Sequence, residues 1–193
     1  WLPRLDAMPT TDTRTELGAF RRPQVLLTLL VGMVGFGGMF AVYTYIATSL
    51  TDVTGLSKAA VPLGLAIYGL GMVVGNYLGG WLADRMLVRG LFVAMTAVAV
   101  VLAGFVVTAP HPVTALVTVF LIAAAGSSIV PGLQTRLMDV AADAQTLAAS
   151  MNHAAFNFAN ALGAAVGGAV IGAGLGYTAP AAVGAGLAVA GLF

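Results

Sequence analysis

The chain has 193 residues, of which 60% are hydrophobic and only 8% are charged, and its mean hydropathy is +0.99. Soluble domains carry roughly 25% charged residues, so the composition excludes a soluble globular protein and indicates a membrane protein in contact with lipid. Disulfides and cysteine-ligated metals are excluded because there is no cysteine, and a net charge of +1 gives no reason to expect nucleic acid as a partner.

Residues 1–24 are polar and rich in threonine, and they contain no apolar stretch typical of a secretory signal peptide. We expect them to form a cytoplasmic interdomain linker, in which residues 15–22 can form a short amphipathic helix. Because the chain opens on Trp1 rather than methionine and stops inside an apolar run, we expect a fragment of a longer protein.

A helix needs about 20 apolar residues to cross a bilayer. Six apolar runs of about this length follow the linker, at residues 25–49, 61–82, 90–109, 113–133, 147–175 and 177–193. The sequence therefore predicts an all-α fold, a polytopic membrane protein in which residues 25–193 form a six-helix transmembrane bundle with a truncated last span.

The polar connections between these runs alternate between the two sides of the predicted bundle. Lys58 is the only basic residue on one side, and the other side carries Arg4, Arg14, Arg21, Arg22, Arg85, Arg89 and Arg136. Cytoplasmic loops of membrane proteins are enriched in lysine and arginine, so the arginine side, with the N-terminal segment, is predicted to be cytoplasmic.

Small residues let transmembrane helices approach closely, and glycines recur at four-residue spacing in two of the spans. The predicted packing positions are Gly71, Gly75 and Gly79 in the second span and Gly163 and Gly167 in the fifth. Helices that slide past one another during a transport cycle need the same residues, and the sequence leaves both interpretations open. Pro131 is expected to kink the fourth span.

Polar side chains are costly in lipid and therefore need partners or water. His153, Asn157 and Asn160 lie on one stripe of the fifth span, and Tyr43 lies before the end of the first. The asparagines and Tyr43 are predicted either to line a substrate cavity or to serve structurally, as bonds between helices or as an interfacial aromatic, while interfacial solvation is favoured for His153. Weaker cavity candidates are Tyr68, Asn76, Tyr77 and Gln134.

A turn between the second and third spans carries the pattern G-x-L-A-D-R, from Gly80 to Arg85, followed by Arg89. This pattern resembles the signature loop of the major facilitator superfamily, G-x-L-A-D-R-x-G-R-R. Leu87 and Val88 replace a glycine and an arginine of that pattern, a degeneracy that suits its second, C-terminal copy. The alternative is a solvated turn whose arginines only reflect the enrichment of basic residues in cytoplasmic loops.

The resemblance extends along the chain through FAVYTYIATSLTDVTGLS, GLGMVVGNYLGGWLADR, VPGLQTRLMDVA and LAASMNHAAFNFANALGAAVGG. These segments are similar to spans 7 to 12 of bacterial drug and sugar efflux permeases of the 12-span drug:proton antiporter type, including chloramphenicol-resistance and arabinose-efflux permeases. Thr48 stands where such permeases carry a proline, so the outer end of the first span is expected to be straighter.

The resemblance implies two six-helix bundles with a substrate site between them near the membrane midplane and alternating access by rocking. It implies that Tyr43, Asn157 and Asn160 face the central cavity and that Asp84, with Gly80, Arg85 and Arg89, forms a cytoplasmic conformational latch. The expected function is proton-coupled efflux of a small molecule across a bacterial cytoplasmic membrane. The expected partners are lipid, the substrate and the missing N-terminal half. No metal or cofactor is expected apart from the coupling proton.

No Asp, Glu, Lys or Arg lies in the middle of a span, so a carboxylate that relays protons is expected elsewhere. Two other functional classes are compatible with six membrane spans. An intramembrane serine protease would use Ser127 or Ser128 after Gly126 with His153, but Ile129 replaces the glycine of its G-x-S-G motif, so no enzyme is expected. A membrane scaffold or subunit is chemically allowed but does not predict the G-x-L-A-D-R turn.

Overall fold

The computed structural model describes residues 22–141 and 144–192. Most of the predicted linker therefore lies outside the described residues, as do Asp143 and Phe193. The described chain forms five helices of at least 12 residues: α1 Pro23–Tyr43, α2 Val61–Thr108, α3 Pro112–Ala141, α4 Gln145–Gly172 and α5 Ala179–Ala190. Three short helical turns, Ile46–Thr48, Ser49–Val53 and Lys58–Ala60, lie between α1 and α2. There is no strand in the part of the chain that the structure describes, which confirms the all-α prediction.

Four of these helices, α1 to α4, are long and apolar enough to cross a membrane, and α5 is a shorter apolar helix. Proline stands in the first turn of four helices, where its missing N–H removes no intrahelical bond, at Pro23, Pro62, Pro112 and Pro180. α4 ends because Gly174 adopts φ 79°, which lets the Leu175 N–H bond the Val170 carbonyl at 3.2 Å.

Helix α2 contains two of the predicted spans, because its backbone leaves the helical conformation at Met86 (φ −154°, ψ 58°). A β-carbon built on Gly90 would lie 3.0 Å from the Leu82 Cβ atom. Residues eight apart in a straight helix are separated by about 12 Å, so the chain doubles back at this point. We call residues 61–85 the first arm and residues 87–108 the second arm.

The first arm packs on α3 through three glycines, and both helices run in the same direction. β-Carbons built on Gly71, Gly75 and Gly79 would meet the carbonyl oxygens of Phe120, Ala124 and Ser128, respectively. The residue numbers of the glycines and of the carbonyls that they face increase together, so the first arm and α3 are parallel. Since these glycines leave no gap, the two backbones are in direct contact.

The same kind of contact joins α1 to α4 and α5. A β-carbon on Gly163 would meet the Gly37 carbonyl oxygen, and one on Gly167 would lie 3.0 Å from that of Ala41, so α1 and α4 are parallel. Gly38 faces Gly184, and Gly35 faces Gly191. The residue number falls on α1 as it rises on α5, so these two helices are antiparallel.

The helical segments therefore alternate in direction, and the connections fall at two opposite ends of the bundle. At one end, the Arg22 guanidinium donates to the Val140 carbonyl at 3.2 Å, and Arg85, Arg89 and Arg136 belong to the same end. At the other end, which carries Lys58, the Thr54 hydroxyl donates to the Ala109 carbonyl at 2.7 Å. We call these the arginine end and the lysine end.

The outer part of the first predicted span is not straight. α1 ends at Tyr43, Tyr45 has φ −110° and ψ 11°, and the chain continues through the short turns Ile46–Thr48 and Ser49–Val53, of which the second is a wide π turn. The expectation drawn from Thr48 is therefore wrong, because the helix is interrupted three residues before that position and needs no proline there. By contrast, α3 stays helical through Pro131.

Adjacent glycines of the first arm offer a matched test of this packing. A β-carbon on Gly79 would meet the Ser128 backbone, whereas one on Gly80 has no atom within 4 Å. We expect Gly79→Ala to lower the stability of the full-length protein by about 1–3 kcal/mol, because the two helices must separate. Gly80→Ala should leave the stability unchanged or raise it by up to about 1 kcal/mol, because alanine forms helix more readily than glycine. Thermal unfolding in detergent measures both variants, and equal midpoints would show that the close contact is not needed for stability.

Candidate functional site

A groove of about 380 Å³ opens on the bundle midway between its two ends. Helices α1, α3 and α4 and the first arm of α2 each contribute to its walls. We call it the aromatic groove, and its lining residues are Phe36, Met39, Phe40, Tyr43, Tyr68, Met72, Asn76, Ser127, Val130 and Phe156. Its volume lies within the range of small-molecule sites, roughly 300–1,000 Å³.

Five aromatic rings in the groove form an unbroken series of contacts across three helical segments. The centroid of Phe36 lies 4.7 Å from that of Phe156 on α4 and 5.3 Å from that of Phe40. Phe40 contacts Tyr43 at 6.3 Å, and Tyr43 contacts Tyr68 on the first arm at 4.9 Å. Edge-to-face and tilted pairs at these distances are favourable for aromatic rings.

Two hydroxyls in the groove are buried without a hydrogen-bond partner. Tyr68 is 2% exposed and Ser127 is 1% exposed, and neither side-chain oxygen bonds any described residue. Leaving a buried polar group unpaired costs about 1–3 kcal/mol. The neighbouring Ser128 does not share this feature, because its hydroxyl donates to the Ala125 carbonyl at 2.7 Å.

The remaining polar lining residues are Asn76 and Tyr43. The Asn76 amide nitrogen donates to the Met72 carbonyl at 2.9 Å, which leaves its side-chain oxygen open as an acceptor. None of the ten described lining residues carries a charge. The groove therefore combines an aromatic surface with uncharged hydrogen-bonding groups.

The predicted cavity residues occupy different positions relative to this groove. Tyr43 lines it and is 43% exposed, whereas Asn157 and Asn160 are exposed on α4 outside its lining. Asn160 and the exposed His153 lie four residues after and three residues before Phe156, so they share its side of the helix. The polar stripe therefore continues from the rim of the groove along α4.

The predicted latch residues lie at the arginine end, where Asp84, Arg85 and Arg89 are exposed. No ion pair joins Asp84 to another residue within the described ranges. Arg85 instead places its guanidinium carbon 4.8 Å from the centre of the Trp81 ring, a cation–π contact one helical turn away. Gly80 faces open space.

The arrangement required by a serine protease is not seen in the described chain. The Ser127 hydroxyl has no partner, Ser128 bonds its own helix, and His153 is exposed. A nucleophilic serine needs a base within hydrogen-bond reach. The described residues also contain no group of three His, Cys, Asp or Glu side chains that would hold a metal ion.

Sequence reasoning missed the contribution of Phe36 and Phe156 and assigned Ser127 only to the protease alternative. Tyr68, Met72 and Asn76 recur every four residues, so one stripe of the first arm carries the three residues that enter the groove. That spacing is a signal that could have raised Tyr68 and Asn76 above weak candidates. No comparable signal marks Ser127, since its position depends on how α3 faces the other helices.

Comparisons with known proteins agree with this architecture. The model of the Major Facilitator Superfamily matches residues 28–193. The chain is 41% identical to Inner membrane transport protein YdhP of Escherichia coli strain K12 over 191 residues, which cover 99% of this chain and 49% of the relative.

Two further relatives carry names that mention a small molecule. The chain is 34% identical to a Chloramphenicol resistance protein of Streptomyces lividans over 165 residues, covering 86% of this chain and 41% of the relative. It is 28% identical to Purine ribonucleoside efflux pump NepI of Escherichia coli O6:H1 over 178 residues, which cover 86% of this chain and 42% of the relative. The chain thus spans about half the length of the curated relatives it matches.

The unpaired hydroxyl of Ser127 can be tested against that of Ser49, which is equally buried at 1% exposure. The Ser49 hydroxyl lies 3.0 Å from the Tyr45 carbonyl and 3.1 Å from that of Tyr177. We expect Ser49→Ala to lower stability by about 0.5–1 kcal/mol, because the bond to the loop between α4 and α5 is lost. Ser127→Ala should leave stability unchanged or raise it by up to about 1 kcal/mol.

Thermal unfolding of the full-length protein in detergent, without added ligand, measures the difference between the two variants. A loss of stability in Ser127→Ala that matches the loss in Ser49→Ala would show that the Ser127 hydroxyl is structurally paired after all.

Proposed function

The chain belongs to the major facilitator superfamily, and on that premise we propose that it is the C-terminal six-span half of a secondary transporter that exports a small molecule in exchange for protons. The observation that carries this proposal is the aromatic groove with its two unpaired buried hydroxyls. Secondary transporters of this kind bind substrate near the membrane midplane, between their two halves. A groove midway along the helices suits one wall of that site.

The exposed asparagines support the same assignment. Neither Asn157 nor Asn160 bonds a neighbouring helix among the described residues, which favours the cavity role over a role as a bond between helices. Exposed asparagine on a membrane helix is unfavourable against lipid. We propose that this face of α4 meets water and substrate in a central cavity that the N-terminal half completes.

The G-x-L-A-D-R turn supports a role for Asp84 as a latch between the two halves. Asp84 is exposed at the end of the first arm and has no partner among the described residues. A carboxylate is stabilised near the N-terminus of a helix by the helix dipole. In the proposal, Asp84 engages a helix terminus or basic residue of the N-terminal half in one conformation and releases it in the other.

Proton coupling is assigned to the other half of the protein. The acidic residues of the described chain are Asp52, Asp84 and Asp139, and all three lie at the ends of the bundle. A titrating carboxylate inside the membrane is the usual proton carrier in a transporter. The proposed location is a bacterial cytoplasmic membrane with the arginine end in the cytoplasm.

Two relatives are named for chloramphenicol resistance and purine ribonucleoside efflux. Both names refer to small molecules that contain rings, and we propose a cargo of similar size for this protein. The full-length protein, reconstituted into liposomes, should accumulate radiolabelled chloramphenicol or guanosine when a pH gradient is imposed. A protonophore should abolish the accumulation. Accumulation that is unaffected by the gradient would contradict proton-coupled transport.

Asp84→Asn removes the charge of the proposed latch while keeping the side-chain shape. We expect the export rate to fall about tenfold or more, because the charged contact that Asp84 makes with the N-terminal half in one of the two conformations is lost. Membrane insertion and the amount of protein should not change. Asp52→Asn is the matched control, because Asp52 is also an exposed carboxylate but lies at the lysine end, where it accepts a hydrogen bond from Thr51 at 2.8 Å. Wild-type export by Asp84→Asn would rule out the latch.

A further inference from the structure

We propose that the aromatic groove selects an uncharged molecule that carries an aromatic ring with a hydrogen-bonding group beside it. This inference rests on the proposed function, because it takes the groove to be part of the substrate path. It adds the chemical class of the cargo, which separates ring compounds from sugars and from organic ions.

The ring requirement follows from the surface that the groove presents. Three of its rings, Phe36, Phe40 and Phe156, lie within 4.7 to 5.3 Å of their neighbours and come from two helices. Aromatic rings gain more from a further ring at such distances than from an aliphatic group that covers the same area. A sugar, which offers mostly hydroxyls, would leave this surface poorly matched.

The hydrogen-bonding requirement follows from Tyr68 and Ser127. Their hydroxyls belong to different helices, both are almost fully buried, and both lack a partner among the described residues. Each hydroxyl can donate and accept a hydrogen bond. A carbonyl, hydroxyl or amide of the ligand would satisfy them, so ligand binding removes a cost that the protein otherwise carries.

We expect the bound molecule to be uncharged because of the residues that line the groove and because of the distance of the groove from the charged ends of the bundle. None of the described lining residues is an Asp, Glu, Lys, Arg or His, and the described Asp, Lys and Arg residues lie at the two ends of the bundle. An ammonium or carboxylate group in the groove would lose its water without gaining a counter-ion from this half. An uncharged polar group avoids that loss.

Three probes that share one carbon framework test the selection. They are 1-naphthalenemethanol, 1-naphthylmethylamine, which is an ammonium ion at pH 7, and the saturated decahydro-1-naphthalenemethanol. Binding to the full-length protein in lipid nanodiscs is measured by saturation-transfer difference NMR, with empty nanodiscs subtracted. We expect the aromatic alcohol to bind at least about tenfold more tightly than either analogue. Equal or tighter binding of the ammonium or the saturated probe would overturn the proposal.

Variants then assign the selection to the groove. Tyr68→Phe and Ser127→Ala should each raise the dissociation constant of 1-naphthalenemethanol about fivefold, the effect of one lost hydrogen bond. Tyr77→Phe is the matched control, because Tyr77 lies on the same arm, is 79% exposed and does not line the groove. Unchanged affinity in both groove variants, with thermal unfolding showing folded protein, would overturn the assignment.

The two proposals fail in distinguishable ways. Selective binding of the aromatic alcohol without any proton-driven accumulation would overturn the transport function and support the selectivity of the groove. Proton-driven accumulation with no preference among the three probes would support transport and overturn the inferred cargo class.

Discussion

Direct contact between helix backbones is the interaction on which the rest of this bundle depends. Gly71, Gly75 and Gly79 place the first arm against the carbonyl oxygens of α3, and Gly163 and Gly167 place α4 against α1. Lipid offers no hydrophobic drive for helix association, so close packing has to supply the stability. These two contacts also set the geometry of the site, because they determine where the aromatic residues of α1, α2 and α4 meet.

The aromatic groove departs from the packing seen elsewhere in the bundle. Most buried polar side chains find a carbonyl, as Ser49, Thr54, Thr118 and Ser128 do. Tyr68 and Ser127 do not, although both lie in the interior. The amide nitrogen of Asn152 on α4 is also buried without a partner, but Asn152 does not line the groove. Two unpaired hydroxyls that line the same groove lower stability there, which is typical of a binding site.

The two ends of the bundle differ in a way that matches the proposed transport cycle. At the lysine end, side chains bond across the connections, as Ser49 does to Tyr177 and Thr54 to Ala109. The arginine end is bridged too, by the bond from Arg22 to the Val140 carbonyl, but Asp84 and Arg89 are exposed there without an ion pair among the described residues, beside the turn at Met86. The proposed latch therefore lies where charges are still available to a partner.

The sequence by itself determined the helical class, the approximate spans and the glycine stripes, because the length and period of apolar runs and the four-residue spacing of small residues are local properties of the chain. It also identified the G-x-L-A-D-R turn and Tyr43. Only the tertiary structure decided that Phe36, Tyr68, Ser127 and Phe156 line one groove, that Asn157 and Asn160 lie outside its lining, and that α1 is interrupted at Tyr45. The physical reason is that these facts depend on how four helical segments rotate and pack against one another. That rotation is set by contacts between residues far apart in the chain, such as Phe36 with Phe156, 120 positions later, and no local pattern records such contacts.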